Sequence, residues 1–376
     1  MTIQGIVKIG ALICGCWIWL TPASFCHAGW EVGFSKRDIT PAQPLRLSGY
    51  GNRTVPSEGV DTPLEVRAVV LRESSGAAPT AAVPFVLLSV DTIGFPAALT
   101  QEILQGLQDA GVDRQRFVIC STHSHTAPTA AEQQLLDEYR NRVRDECIAA
   151  VQAALKGYQP ARLFHSVGEV TFSRNRRVIQ EGVWKGFGES PEGPVDHTLP
   201  VIKITDATGE SVRGWLFNYA CHCTTFGGDY NRINGDWAGY AARGLEAAFP
   251  GSIALCTIGC GADQNPPRVP ARALQDSQTC GTEIVEEILR LQQAAWKEIT
   301  GTPTGHFGFA GLPIDRPSVA ELRERLQDRS PQVRRHAEVM LEIHQRMGRL
   351  PESYPMPVQV WRLGPEVSMG FLGGEG

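Results

Sequence analysis

Apolar and polar positions change their spacing in a regular way along the chain. Residues 64–72 alternate apolar with polar side chains, the period of a strand, and residues 83–90 form an apolar run closed by Asp91, as in a strand covered on both faces. Over residues 96–110, Leu99, Ile103, Leu104 and Leu107 recur at helical spacing, and Gly111 ends the stripe. Phe117-Val118-Ile119-Cys120 is a second buried strand. A helix this short between two strands predicts parallel neighbours joined by a right-handed crossover. The alternation continues, with helices predicted over residues 131–155, 236–249, 282–298 and 319–347. Strands are predicted over 163–172, 199–205, 212–220, 253–257, 305–311, 358–363 and 367–372, and Asp206-Ala207-Thr208-Gly209 reads as a hairpin turn. The pattern predicts an α/β fold of mixed, partly parallel β-sheets layered with helices, with ligands received at the carboxyl ends of the strands. Two segments lack periodicity: the turn-rich Ser48-Gly49-Tyr50-Gly51-Asn52, and residues 174–197, rich in Gly, Glu and Pro and a candidate rim or lid.

Composition narrows the class. Hydrophobic residues make up 42% of the 376, enough for a large core, and the formal charge of -5 with short, isolated basic clusters argues against nucleic acid as a partner. The first 28 residues read as a signal peptide: Lys8, an apolar stretch over residues 9–20 too short for the roughly 18–20 residues of a membrane span, then Pro22 and a small-residue exit ending at Ala28. Residues 29–376 are then one domain of an exported protein, periplasmic or extracellular. Seven cysteines follow the leader, Cys120, Cys147, Cys221, Cys223, Cys256, Cys260 and Cys280. The odd count leaves at least one unpaired, and several sit in apolar strands where Cys acts as a small hydrophobe.

Candidate chemistry gathers where strands end. The strand 117–120 runs into Ser121-Thr122-His123-Ser124-His125-Thr126-Ala127-Pro128, and on extended backbone histidines two apart project to the same side. The strand 215–220 ends at Cys221-His222-Cys223, the strand 253–257 opens into Gly259-Cys260-Gly261-Ala262-Asp263-Gln264-Asn265, and the last strand delivers Gly373-Gly374-Glu375-Gly376. Two imidazoles and a carboxylate from separate strand ends are the donors that suit a catalytic zinc with one open position. A rival set, the thiolates of Cys221 and Cys223 beside His222, lacks the spacing of structural zinc knuckles. Histidines that merely close a strand through hydrogen bonds remain the plain alternative.

The octapeptide at 121–128 resembles the Ser-Thr-His-Thr-His-Ser-Gly-Pro motif of the neutral/alkaline ceramidase family. Asn218-Tyr219-Ala220-Cys221-His222-Cys223-Thr224-Thr225, followed by Gly235-Asp236-Trp237-Ala238-Gly239-Tyr240, is similar to that family's second histidine segment. The resemblance implies one zinc ion per chain held by His123, His222 and Glu375. It implies His125 and Arg176 as catalytic groups that assist the oxyanion or a proton transfer, and hydrolysis of the N-acyl bond of ceramide or a related lipid by metal-activated water. Asp91 is expected either to orient a ligand histidine or to cap the following helix, and Asp236, Gln264 and Asn265 to touch substrate or support the ligands. The family carries a serine where residues 261–266 offer none. It also continues, past the position of Gly376, into a tyrosine ligand and an immunoglobulin-like domain, so the chain is expected to be incomplete at its C-terminus. The expected partner is a small-molecule or lipid substrate with peripheral membrane contact, and no obligate protein partner is implied. Two alternatives stand beside this expectation: a zinc hydrolase of the same fold acting on another amide or ester, and a non-catalytic binding protein.

Overall fold

The computed structural model describes residues 29–74, 83–128, 135–314 and 316–374. The expected leader and Glu375 lie outside the described residues. In chain order the first elements are β1 (Trp30–Asp38), β2 (Glu65–Glu73), β3 (Phe85–Val90), α1 (Ala97–Gly106), β4 (Phe117–Ser121), α2 (Leu135–Lys156), β5 (Gln159–Glu169), β6 (Arg174–Asn175), β7 (Arg177–Gln180) and β8 (Val183–Phe187). Then come β9 (Thr198–Asp206), β10 (Val212–Tyr219), α3 (Asp236–Ala248), β11 (Ile253–Ile258), β12 (Gln264–Asn265), α4 (Ala273–Leu291), β13 (Lys297–Ile299), β14 (Thr304–Pro313), α5 (Val319–Arg325), α6 (Pro331–Met347), β15 (Ser353–Leu363) and β16 (Val367–Leu372).

The main sheet runs β11-β10-β9-β5-β1-β2-β3-β4, with β13 added to β5. Its pairs β3–β4 and β10–β11 are parallel, each joined through a helix as the strand-helix-strand pattern predicts, and the rest are antiparallel. The two parallel pairs sit at opposite ends of the strand order, yet β11 packs against β2, β3 and β4, and Ser89 Oγ donates to Cys256 O at 2.6 Å. The sheet therefore curls until its ends face each other. Helices α1 and α2 cover one half of the outer surface, burying Leu99, Ile103, Val143 and Val151 against Val66, Ala68, Val86 and Leu88. Helices α3 and α4 cover the other half, against Trp215, Phe217 and Tyr219. Inside the curl, Val69, Leu71, Leu87, Leu163, Ile204 and Leu216 form an inner core closed by Trp361 and Leu363 of β15. Burial on both faces explains the apolar run of β3, and it corrects the half-buried strand that alternation suggests for β2, whose Glu65 and Arg67 are buried too and bonded to each other.

Several expectations are corrected. The strand β1 was not foreseen. It lies so close to α2 that a Cβ at Gly33 would stand 1.9 Å from Ala154 O. The helix expected over 282–298 is α4, nine residues earlier, because its buried stripe is made of small residues, Ala273, Ser277, Cys280 and Gly281, that let α3 approach. The tail of that expected helix is instead β13, paired with β5. The single helix expected over 319–347 is two, since Ser330 caps a new start by accepting from Val333 N, with Pro331 in the first turn. Residues 174–197, where no strand was expected, hold the hairpin β7–β8.

Candidate metal centre

The curl of the sheet decides the site, because it brings the exits of β4 and β10 together. An isolated parallel bridge joins Ser124 to Cys223, and His125 N donates to Cys223 O at 3.2 Å. Three imidazoles, His123, His125 and His222, meet there with their ligating nitrogens all within 4.8 Å of one another. Nε2 of His123 and Nε2 of His125 are 3.2 Å apart, and the His123 and His222 ring centroids are separated by 4.7 Å. Zinc–nitrogen bonds of about 2.0–2.1 Å at tetrahedral angles set ligand nitrogens about 3.3 Å apart, so small ring movements would seat an ion.

The two histidines come together by a different route from the one their spacing suggests. His123 is not on extended backbone but at a left-handed φ of 56°, just past the end of β4. A side chain with a Cβ occupies that region only under outside constraint. Here the constraints are Thr122 N on Val90 O, Ser124 N on Thr92 O, and the ring itself, whose Nδ1 lies 2.7 Å from Ile93 O. A carbonyl can only accept, so Nδ1 carries the proton and Nε2 keeps its lone pair. His222, 2% exposed, repeats the arrangement: its Nδ1 lies 2.7 Å from Gly261 O and 3.1 Å from Gln264 O. Backbone carbonyls on the far nitrogen are a common second support of a zinc-binding imidazole.

The loop after β11 is thus part of the His222 mount. Gln264 O accepts from His222 N at 3.0 Å, and its side-chain Oε1 accepts from Ser173 Oγ and Asp196 N. Asn265 accepts from Thr224 Oγ1 at 3.2 Å. On the other side Trp237 Nε1 donates to His222 O at 2.9 Å. Asp236, fully buried, accepts from Thr225 N, Thr225 Oγ1, Trp237 N and Ser277 Oγ, and so ties the His222 loop to α3 and α4. Burial raises its carboxyl pKa, and those donors oppose the rise.

Asp91 is 1% exposed and accepts from Thr122 Oγ1, Glu65 N and Arg67. It reaches His123 through the neighbouring Thr122. The capping alternative is corrected: α1 starts behind Pro96, five residues further on. Arg176 hangs from the same loop as His222, its Nε on Ala262 O at 2.8 Å and its backbone N on Asp263 O at 2.7 Å, and its guanidinium lies over the Phe187 ring at 4.8 Å. Cys221 and Cys223 are packed in the core under α3 and α4, where burial pushes both thiols well above their ordinary pKa. Among the described residues the donors that gather within reach of one ion are the three imidazoles and neither thiol, so the thiolate set is set aside.

Sequence reasoning missed three residues. Arg53, 4% exposed, donates to five carbonyls, of Ser48, His125, Gly227, Gly228 and Tyr230, and so fastens the Gly49 turn, the His125 segment and the loop after His222 to one another. Burial, with the neighbouring Arg268 cation adding to it, lowers its pKa to about 10. Tyr50 lies 5.2 Å ring to ring from His125, donates to Phe226 O at 2.9 Å and accepts from Arg268 at 3.0 Å. Gly49, at φ 89°, passes so near His125 that a Cβ there would stand 2.2 Å from its Nδ1. The Gly-Tyr-Gly turn was the one available signal, and a turn alone does not say what it lies against.

Mixed sheet, carbonyl-mounted histidines and motif order together define a class. The chain belongs to the neutral/alkaline non-lysosomal ceramidase family, whose N-terminal region matches residues 30–255. Among individual proteins, it is 23% identical over 238 residues to the neutral ceramidase of Pseudomonas aeruginosa, a match covering 60% of this chain and 35% of that one. The crystal structure of neutral ceramidase from Pseudomonas aeruginosa superimposes with a TM-score of 0.67 at 20% identity, over 90% of this chain and 61% of that chain. A ceramidase complexed with C2 gives 0.67 at 18%, over 90% and 62%. The chain therefore spans about a third to three-fifths of the length of these relatives.

Proposed function

We propose that the protein is a zinc-dependent amide hydrolase that cleaves the N-acyl bond of ceramide or a closely related N-acyl lipid. The observation that carries this reading is the pair His123 and His222, each with Nδ1 engaged by a backbone carbonyl and each with a donor nitrogen within 4.8 Å of the other's. His123 and His222 would hold the ion with Glu375 as third ligand. His125 stands beside them with its Nε2 close to that of His123. Bound zinc would polarise the amide carbonyl and lower the pKa of water toward about 7. The chain's own part is positioning. Arg176, fixed to the loop that mounts His222, supplies a cation for the oxygen on which charge develops, and His125 supplies a ring nitrogen for proton transfer. Asp91, Asp236, Gln264 and Asn265 would support the ligand loops, a role consistent with their bonds to Thr122, Thr225, Ser173 and Thr224. The leader expected over residues 1–28 adds export to the periplasm or the exterior.

A second reading, hydrolysis of a different amide or ester, is favoured by one observation. The 261–266 loop offers no serine, and its Gln264 side chain is occupied within the protein. Fatty-acid release by the purified chain, with and without added zinc, is the test, on ceramide beside N-acyl amino acids, N-acyl sugars and simple esters. Preference for ceramide supports the first reading, preference for another substrate supports the second, and zinc-independent or absent turnover on all of them contradicts both.

A further inference from the structure

The hairpin β7–β8 is out of keeping with the rest of the surface. It forms a two-stranded sheet of its own, turned tightly at Glu181 and Gly182, both at positive φ. An isolated two-stranded hairpin has little stability of its own, and apolar residues on it would normally face a core. Here Ile179, Val183, Trp184 and Phe187 are 52%, 54%, 55% and 69% exposed. Ile179 pairs across the strands with Trp184, the Trp184 and Phe187 rings meet edge to face at 5.6 Å, and the Arg176 guanidinium covers Phe187. An apolar track therefore runs from the hairpin to the arginine held by the loop that mounts His222.

Charge says what this track faces. On β7–β8 itself the cations Arg177 and Lys185 stand against the single anion Glu181, with Arg176 at its base over Phe187, in a chain whose net charge is -5. Glu189 and Glu192 follow the hairpin rather than lie on it. A second copy of the chain would bring like charges together at a two-fold contact. Exposed Trp and Phe flanked by Lys and Arg is the composition that settles at a membrane–water interface, rings at headgroup depth and cations against phosphate.

We propose that β7–β8 docks the protein on a lipid surface bearing anionic headgroups, with Trp184 and its apolar neighbours entering the interface. This names the partner of the proposed lipid hydrolase at the same site, and it rests on that reading only for its purpose, since docking requires no turnover. Sedimentation of the full chain with phosphatidylcholine vesicles, with and without phosphatidylglycerol, tests it. The wild type binds the anionic vesicles and is released by salt. Trp184→Ser binds at least about tenfold more weakly, as does Lys185→Glu, whose polar exposed site keeps folding out of question. Phe309→Ser, which removes an aromatic group 65% exposed on β14, binds as the wild type does. Binding by Trp184→Ser and Lys185→Glu equal to the wild type, an equal loss in Phe309→Ser, or no wild-type binding to either vesicle overturns the proposal. His123→Ala keeps its vesicle binding under this proposal, so a chain that docks but hydrolyses nothing sinks the proposed function alone.

Discussion

Replacing Gly49 by alanine probes the site with one methyl group. The new Cβ would stand 2.2 Å from Nδ1, 2.5 Å from Cγ and 2.8 Å from Cβ of His125, where ordinary contact begins near 3.4 Å. The ring or the turn must retreat by about 1.2 Å, the difference between 3.4 and 2.2. Neither has slack: His125 is held through its N by Cys223 O and through its O by Arg53, and the turn by Ser48 N and Oγ on Ala127 O. Left-handed backbone with a Cβ costs about 1–2 kcal/mol. Forcing the imidazole off its rotamer adds about 1 kcal/mol, for a total near 2–3 kcal/mol and a melting temperature lower by several degrees. Displacing a reacting group by about 1 Å costs on the order of 100-fold in rate. Gly51→Ala is the internal control, since a Cβ there meets nothing within 4 Å. Thermal melts and kcat/KM on the preferred substrate check both variants. If Gly49→Ala melts and turns over like Gly51→Ala, His125 has no part in the chemistry and the contact is incidental.

Two further outcomes follow from the supports. Arg53→Met leaves five carbonyls without their donor and should cost about 3–5 kcal/mol in urea unfolding, with the histidine loops loosened; a cost under about 1 kcal/mol would show that Arg53 does not hold them. Asp236→Asn tests a buried carboxyl whose pKa is raised in the folded state by burial. Below the ordinary Asp pKa both states of the wild type are protonated. As pH rises from there to the raised folded value the unfolded chain ionises first, so wild-type stability falls relative to Asp236→Asn, and above the folded value the gap is constant. Asn tolerates the positive φ of 53° at this position. A stability difference independent of pH between the two proteins contradicts the raised pKa.

How much of this could be read from the chain depends on whether the deciding contacts are local. The parallel pair β3–β4 was legible because an apolar run, a short helical stripe and a second apolar run leave few topologies. Helix α4 was misplaced because its packing face is Ala273, Ser277, Cys280 and Gly281, which carry almost no hydrophobic signal and serve by being small. His123 and His222 stood out as histidines at strand ends, yet nothing in their spacing announces the curl of the sheet that makes those ends meet. Arg53 was invisible for the same reason. Its five acceptors come from three segments up to 177 positions away, and a lone arginine after a glycine turn looks like surface. The expected ligand Glu375 lies outside the described residues, so the third donor rests on resemblance.

Zinc content measured by elemental analysis across three single variants bears most directly on the central claim. The wild type, dialysed against excess zinc and then buffer, should retain about one ion per chain. His123→Ala and His222→Ala should retain none, while His125→Ala should keep its zinc and lose turnover. A wild type that binds no zinc, or a His123→Ala that holds as much as the wild type, contradicts the account.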